Sequence, residues 1–262
     1  VRGAEHRLTV QIGGWDYPPG VSDGVIPDGA WGNLPPGEIY FVPRDGSGEV
    51  VINGALPGKL LGAGEELLLT FHQGRLVTMQ PEDGPAARHL HATQIAHAER
   101  RGDANWTNLA EVGFGLNPAI LELTGASLPD QKRAHTVHIA LGHSASLGGD
   151  VASIIHCDLV IRKPTVFVNG RLILKRGDWR INEADWRLDH RTITVPSGWW
   201  DSLSQVRRSG VRAQRDGVRL VCPWNAGGGR WESTPVGNEQ TARLAARFYD
   251  LLPEGGGGVD VE

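Results

Sequence analysis

The chain has 262 residues, of which 40 % are hydrophobic and 21 % are charged, and its formal net charge is −4. This composition supplies a folded core and excludes a mainly disordered chain, and the small negative charge gives no sign of a nucleic-acid or membrane partner. No run approaches the roughly 18–20 apolar residues of a membrane span, and the first residues lack the apolar core of a signal peptide. Cys157 and Cys222 are too few for a disulfide framework, so we expect a cytoplasmic protein.

The first 60 residues predict short strands, because apolar or alternating runs are separated by glycine- and proline-rich turns. Residues 65–80 predict a hairpin. Residues 85–104 predict a helix, since apolar residues recur at helical spacing, Pro85 stands at the start and Gly102 follows the end.

The middle of the chain continues this β-rich pattern. Strands are predicted within residues 105–118, 135–142 and 151–161. In the first of them Gly113 and Gly115 would allow a close approach of the backbone. TVFVNGRLILK (165–175) predicts a hairpin that turns at Asn169-Gly170.

Residues 181–262 differ in texture and predict a smaller extension. VRAQRDGVRLVCPW (211–224) reads as a hairpin, an amphipathic helix begins near Asn238, and the glycine-rich end PEGGGGVDVE (253–262) reads as a flexible tail. We therefore predict an α+β fold with a β-rich domain over 1–180 and a small α+β extension over 181–262.

A group of imidazoles and carboxylates indicates a metal site. His156 and Asp158 are two residues apart, which puts them on one face of a strand, and His138 lies on another predicted strand. Glu111 and Glu38 also flank apolar runs. Such a donor set suits Zn, Mn, Fe or Co. The structural alternative is that His156 pairs with Asp158 and that His138 bonds to a backbone carbonyl.

Six motifs occur in the order seen in the metal-binding domain of the M29, or T-type, aminopeptidases, and the chain resembles that domain from residue 33 to about 177. They are NLPPGEIYFVP (33–43), VVINGALPG (50–58), LTFHQGRLV (69–77), AEVGFGLNP (110–118), HTVHIALG (135–142) and SIIHCDLV (153–160). The resemblance implies a β-rich M29-like domain with a two-metal site. Its implied metal ligands are Glu38, Glu111, His138, His156 and Asp158.

The chain also departs from that family. The general base expected just before HIALG is replaced by Gln131, which cannot accept a proton, and Asp130 is the candidate to replace it. A family tyrosine is replaced by Ala145. We further expect the N-terminal domain that roofs the family's active site to be missing, which leaves open a homodimer in which a second copy covers the groove.

These departures predict a protein that holds a peptide rather than cleaving it. A group of M29-like, peptide-binding proteins acts in the biosynthesis of crocagin, a ribosomally made and post-translationally modified peptide, and this chain resembles that group. The resemblance implies a precursor or core peptide as partner, and Trp199-Trp200 is a candidate platform for a peptide side chain.

Two other interpretations stay open. One is a metalloenzyme on the same scaffold, either a hydrolase or aminopeptidase or an Fe(II) ring-cleaving dioxygenase, since a dioxygenase acting on dihydroxypyridine is similar to the M29 family. The other is a structural relative whose groove is filled by its own side chains.

Overall fold

The structure is a computed structural model that describes residues 6–12, 20–22, 33–180, 192–195, 218–221 and 257–262. Most of the ordered elements in these ranges are strands. The strands are β1 (Leu8–Ile12), β2 (Gly20–Ser22), β3 (Glu38–Phe41), β4 (Pro43–Ile52), β5 (Ala55–Leu56), β6 (Lys59–Leu60), β7 (Leu67–His72), β8 (Arg75–Gln80), β9 (Leu109–Gly115), β10 (Thr136–Gly142), β11 (His156–Arg162), β12 (Val166–Val168), β13 (Arg171–Lys175), β14 (Asp178–Trp179), β15 (Thr192–Val195), β16 (Val218–Val221) and β17 (Gly257–Val261).

Helices are few in the described ranges. The helices are α1 (Pro85–Leu90), a π-helical turn (His91–Ile95), α2 (Ala96–Arg100), a 3-10 turn (Ala104–Thr107), α3 (Ser127–Lys132) and a second 3-10 turn (Ala145–Leu147). The first three run on from one another, so the predicted helix is confirmed from its start at Pro85. Gly102, at φ 68°, follows its end in the left-handed conformation that glycine adopts most readily.

Two antiparallel sheets enclose the hydrophobic core. One has eight strands in the order β14-β13-β12-β17-β1-β4-β7-β8, and the other has seven in the order β2-β3-β9-β10-β11-β5-β6. Alternate side chains of both sheets join one buried apolar cluster, as Val10 and Leu69 do from the first and Ile139 and Leu159 from the second. The fold is mostly β with a few helices, as the predicted β-rich α+β class requires.

The two predicted hairpins before residue 180 are confirmed. β7 and β8 turn at Gln73-Gly74, and β12 and β13 turn at Asn169-Gly170, with positive φ at all four positions. Positive φ at both central residues is the geometry of the tight hairpin turn that matches strand twist. The strands predicted around residues 109–115, 136–142 and 156–161 are also present.

Residues 257–262 of the glycine-rich end form and follow strand β17, so the prediction of a flexible tail is wrong for this part of it. β17 lies between β1 and β12 and pairs antiparallel with both, so its backbone groups are satisfied on two sides. Val259 and Val261 are fully buried, because alternation turns both toward the core. The sequence pattern did not predict this strand, because glycine is depleted in strands and only VDV carries the alternating pattern.

The rest of the predicted extension is only partly described. β16 is the second arm of the predicted hairpin, and it pairs with β15. The first arm of that hairpin and the helix near Asn238 lie outside the described residues, and the division of the chain at residue 180 stays a prediction. Among the helices that the structure describes, none combines the length and the apolar character needed to cross a bilayer.

Candidate metal centre

The five predicted ligands meet on one face of the seven-stranded sheet. In the register of β9, β10 and β11, Ala140 stands between Glu111 and Asp158, and Gly142 stands opposite His156. Opposed residues in a ladder share a face, and so do residues two apart along a strand. His138 therefore joins the same face. The opposite face of these strands carries the apolar side chains of the core.

Three side chains form what we call the inner trio, namely Glu38, Glu111 and His138. The His138 Nε2 atom lies 3.1 Å from Glu38 Oε1 and 3.2 Å from Glu111 Oε1. All three residues are buried, and the His138 side chain has no exposed surface. Burying two carboxylates beside one imidazole is costly unless positive charge balances them.

The outer trio consists of Glu111, His156 and Asp158. His156 Nε2 lies 3.1 Å from Glu111 Oε2 and 3.2 Å from Asp158 Oδ1. The His156 side chain is 29 % exposed, so solvent reaches this trio and not the inner one. Glu111 belongs to both trios through different oxygens, and the potential ligand atoms within each trio all lie within 4.8 Å of one another.

Neighbouring groups fix the orientation of both imidazoles. The Nδ1 atom of His156 donates to the His143 carbonyl oxygen at 2.7 Å, which in the neutral ring leaves Nε2 as the free lone pair. The His138 ring lies directly over Gly113, where a Cβ atom would come within 2.2 Å of two ring atoms. The predicted close approach at Gly113 is thus confirmed, and its physical reason is the space that His138 needs.

Several polar atoms of the cluster lack a partner among the described residues. Glu38 Oε1 and Asp158 Oδ1 are buried and make no hydrogen bond, although each lies near an imidazole nitrogen. Buried carboxylate oxygens are nearly always satisfied. A divalent cation in either trio would satisfy the unpaired oxygen of that trio, and the mixed nitrogen and oxygen donor set suits Zn, Mn, Fe or Co. The residues present therefore fit a metal, and their role as ligands stays a prediction.

The electrostatics of the metal-free cluster are those of a compact ionic group. Burial by itself lowers the pKa of His138, but Glu111 and Glu38 outweigh it and raise that pKa to about 10. Burial likewise opposes the charged form of His156, yet Asp158 and Glu111 raise its pKa to about 11. Burial raises the pKa of Glu111, but the two imidazoles bring it down to about 2. Protons therefore occupy the imidazoles when no cation does.

Lys132 belongs to this cluster, and sequence reasoning assigned it no role. Its ammonium forms a fully buried ion pair with Glu38 Oε2. α3 carries Lys132 over the outer face of β9, β10 and β11, and Asn117 N donates to the Lys132 carbonyl at 2.8 Å. The only sequence signal was a lysine next to the motif position of the absent base, and a lysine is usually exposed.

Gln131 also lies in the cluster. With its amide oriented to satisfy its neighbours, Nε2 donates to Asp158 Oδ2 at 2.6 Å and Oε1 accepts from Lys132 Nζ at 2.9 Å. The residue that the resemblance sets in place of the general base therefore contacts the outer trio. The amide has no basic lone pair to offer a water molecule.

Asp130 does not replace the base, and that expectation is wrong. Its carboxylate is fully buried and accepts from Thr124 N, Thr124 Oγ1 and Gly125 N at 2.7–3.2 Å. These bonds fix the segment before α3. Ala145, in the position expected for the family tyrosine, is exposed on the second 3-10 turn and supplies no hydroxyl.

The structural alternative for the histidines is partly wrong. No carbonyl of a described residue bonds to His138, since its Nδ1 atom makes no hydrogen bond there and its Nε2 atom faces carboxylates. His156 does lie beside Asp158, as the alternative expected, but Glu111 is equally close. Cys157 points to the opposite strand face and is buried in the core, where burial raises the pKa of its thiol. The predicted peptide platform, Trp199-Trp200, lies outside the described residues.

Charge balance limits what the site can hold. The cluster contains three carboxylates and the Lys132 ammonium, so one divalent cation with two neutral imidazoles would neutralise it. A second divalent cation would leave an excess of positive charge, which an anionic ligand could balance. A cation held here would supply Lewis-acid charge to a ligand oxygen that arrives from the exposed side of His156.

Comparison with known proteins shows which solved structures this fold is similar to. No protein-family model matches the chain, and no curated protein matches it. A solved structure of 2,5-dihydroxypyridine dioxygenase from Pseudomonas putida KT2440 aligns with a TM-score of 0.52 and 16 % identity, over 68 % of this chain and 55 % of that chain. AmpT from Thermus thermophilus aligns with a TM-score of 0.43 and 18 % identity, over 67 % and 50 %. The chain spans about half the length of these proteins, and about two thirds of it shares the fold of the dioxygenase.

Proposed function

We propose that this protein is a divalent-metal protein that binds a peptide at the metal centre without hydrolysing it, as an accessory protein in the maturation of a ribosomally made peptide. The observation that carries the proposal is the position of Gln131, which holds Asp158 and Lys132 through a neutral amide. Metal-dependent hydrolysis by a bound water gains from a carboxylate that accepts its proton. Gln131 cannot do this, and the carboxylate of Asp130 is engaged elsewhere.

The ligand would approach the outer trio. Among the described residues of the cluster, His156 is the exposed one while Glu38 and His138 are buried, so the ligand would arrive from the His156 side. A peptide terminus fits the chemistry, because its carboxylate or carbonyl oxygen would bind the cation and balance the charge of a doubly loaded site. The resemblance to M29-like peptide-binding proteins supports a peptide as the ligand.

A ring-cleaving dioxygenase is the second candidate, and one observation favours it. His138 and His156 both place Nε2 within 3.2 Å of the Glu111 carboxylate. Two histidines and one carboxylate around a single cation form the donor set of non-haem Fe(II) oxygenases. The fold shared with 2,5-dihydroxypyridine dioxygenase makes that compound the first substrate to test.

The test combines metal loading, binding and turnover. Purified protein would be stripped with a chelator, reloaded with Zn²⁺, Mn²⁺, Co²⁺ or Fe²⁺, and analysed for metal content. Binding of Leu-Gly-Gly would be measured by calorimetry, release of leucine from leucine 4-nitroanilide by absorbance, and oxygen uptake with 2,5-dihydroxypyridine by electrode. We expect stoichiometric metal, metal-dependent peptide binding and no turnover.

Gln131 supplies the matched variants. Gln131→Glu returns a carboxylate to the position of the absent base and should create measurable release of leucine, whereas Gln131→Met should not. Enzyme-like hydrolysis by the unaltered protein, lost in Glu111→Ala, would overturn the proposal in favour of a hydrolase. Oxygen uptake by the Fe²⁺ form would establish the second candidate. Metal loading without peptide binding would refute the peptide ligand alone.

A further inference from the structure

A cavity of about 520 Å³ lies away from the metal centre, and basic side chains dominate its wall. Its lining comprises Leu60, Leu121, Glu122, Leu123, Arg133, His135, Arg162, Lys163, Arg176 and Asp178. Four permanent cations thus face two carboxylates, in a chain whose net charge is −4. The local excess of positive charge is opposite in sign to that of the whole chain.

The cavity is separate from the metal centre although both lie on the same sheet face. Arg162 follows Asp158 by four residues on β11, a distance of about 13 Å along a strand. Between them Val160 is buried against Ala55 and Leu123. This small apolar cluster closes the direct path along the sheet face, so a ligand in the cavity does not reach the outer trio by that route.

The cations of the cavity are held without being neutralised. Arg133 donates from Nε and Nη2 to the Leu121 carbonyl and from Nη1 to the Ala134 carbonyl, at 3.1–3.2 Å. Arg162 donates from Nη1 to the Leu61 carbonyl at 3.3 Å. These acceptors are neutral, and within the described part of the chain two of the five Arg133 donors and four of the Arg162 donors make no hydrogen bond and can bind another group.

No carboxylate compensates these charges within the described ranges. None of Arg133, Arg162, Lys163 and Arg176 has a carboxylate oxygen of a described residue within 4.0 Å, although Glu122 and Asp178 line the same cavity. Clustered cations without counter-charges repel one another, and a bound anion relieves that repulsion.

Backbone strain is concentrated at the same place. Among the described residues five non-glycine positions have positive φ, and three of them, His135, Lys163 and Arg176, line the cavity. They converge on Gly177, where a Cβ atom would come within 3.3 Å of both His135 and Lys163. His135 Nδ1 is 2.8 Å from the Gly177 carbonyl oxygen, and Gly177 N donates to the Pro164 carbonyl at 2.8 Å.

This strain is the kind that functional positions retain. Arg176 occupies the first position of the two-residue turn between β13 and β14, where asparagine or glycine is favoured. An arginine there costs backbone energy and presents its side chain to the cavity. Strained non-glycine residues are commonest at ligand-binding and catalytic sites.

We propose that this cavity binds a ligand in which an oxyanion adjoins an apolar group, as the carboxylate of leucine adjoins the leucine side chain. The arginine and lysine donors would hold the oxyanion, and Leu60, Leu121 and Leu123 would cover the apolar group. Two of these leucines, Leu60 and Leu121, are exposed in the free protein. The proposal does not depend on the metal centre or on its ligand.

The test uses three probes with the whole 262-residue chain. N-acetyl-leucine carries a carboxylate and the apolar group, N-acetyl-leucinamide is its neutral analogue, and inorganic phosphate is an oxyanion without the apolar group. Binding would be followed by amide chemical shifts in nitrogen-15 spectra, with metal removed by chelator. We expect N-acetyl-leucine to shift amides around residues 133–135, 162–163 and 176–177, to bind at least tenfold more tightly than its amide, and to weaken with added NaCl.

Paired turn variants separate binding from structure. Arg176→Asn removes one cation and puts a favoured residue in the turn, so it should leave the melting temperature equal or higher while weakening N-acetyl-leucine about tenfold. Gln73→Asn also places asparagine at the first position of a two-residue turn, between β7 and β8, but removes no charge and lies outside the cavity, so it should leave binding unchanged. Equal affinity for the acid and the amide, or unchanged affinity in Arg176→Asn, would overturn the proposal. Tighter binding of phosphate than of N-acetyl-leucine would overturn the apolar half of it.

Discussion

The inner and outer trios share Glu111 and are otherwise opposites. The inner trio is buried and is backed by a charged side chain, Lys132, which pairs with Glu38. The outer trio opens to solvent through His156 and is backed by a neutral one, Gln131, which binds Asp158. The same sheet face thus holds a buried trio beside the Lys132 ammonium and a partly exposed trio beside the neutral Gln131 amide.

This difference separates two tasks within one cluster. Burial makes each charge in the inner trio depend on its neighbours, so removing one member should destabilise the fold. The outer trio reaches solvent through His156, which gives a cation or a ligand a way in and out. We therefore expect a divalent cation to enter and leave through the outer trio, with the inner trio as its fixed support.

The largest effect should come from the residue that the two trios share. Glu111→Ala removes an oxygen from each trio and leaves His138 and His156 with one carboxylate each, so metal content should fall to nearly zero. Elemental analysis by mass spectrometry would measure it after equal loading. Glu99→Ala, which removes an exposed carboxylate beside His91, is the control and should keep full metal content. Retained metal in Glu111→Ala would mean that the trios do not form one centre.

The second effect is a difference in stability between alanine variants of the two histidines, measured in metal-free protein. His138→Ala leaves Glu38 and Glu111 buried without their shared imidazole and should lower the free energy of unfolding by about 3 kcal/mol. The His156 side chain is 29 % exposed, so water screens part of the charge left behind and His156→Ala should lower the free energy of unfolding by less than His138→Ala does. Urea denaturation in the presence of a chelator would measure both. Equal losses would contradict the division into a structural and an exchangeable trio.

The third effect is a dependence on pH. Folded, metal-free protein keeps His138 and His156 protonated to pKa values of about 10 and 11, against about 6.5 in the unfolded chain. Their stabilisation is therefore complete below pH 6.5 and is lost as the pH rises through 10 and 11. A cation must displace these protons, so its affinity should rise by about one log unit per pH unit for each proton released.

Calorimetric titration of Zn²⁺ between pH 6 and 8 would measure that slope. Carrying the titration out in buffers of different ionisation enthalpy would count the protons released. His156→Ala should lower the slope by about one. An affinity that is independent of pH would show that the cation does not bind through these imidazoles.

The smallest effect should come from the ammonium beside the inner trio. Lys132→Met removes a positive charge close to Glu38 and should tighten binding of a divalent cation about tenfold, while destabilising the metal-free protein. Lys59→Met breaks a more exposed pair with Glu65 and should change neither property by much. Weaker metal binding in Lys132→Met would show that the ammonium organises the ligands instead of competing with the cation.

Sequence reasoning predicted those parts of the fold that local patterns encode. The hairpin at Asn169-Gly170 carries the turn residues that leave few alternatives, and the hairpin over residues 65–80 was predicted from the two apolar runs that flank its turn. The spacing of His156 and Asp158 placed both side chains on one strand face. The convergence of Glu38 and His138 with them depended on strand order, which only the M29 resemblance could suggest.

Local sequence patterns could not predict three other features, and each has a physical reason. Lys132 reads as a surface residue, because nothing local shows that α3 will carry it over the sheet. The basic cavity draws Arg133, Arg162 and Arg176 from three separate segments, each unremarkable alone. The strand at Gly257–Val261 lacked β-forming residues at its start, and tertiary pairing overrode its weak propensity.

That last strand also constrains how the protein can fold. β17 fills the gap between β1 and β12, and it pairs Val261 with Leu8 across almost the whole chain. The eight-stranded sheet cannot close during synthesis until these residues have left the ribosome, so β1 and β12 wait with unpaired edges. Such long-range pairing slows folding and exposes edges that can aggregate. Removal of residues 257–262 should therefore reduce the soluble yield of the protein more than the loss of six residues would suggest.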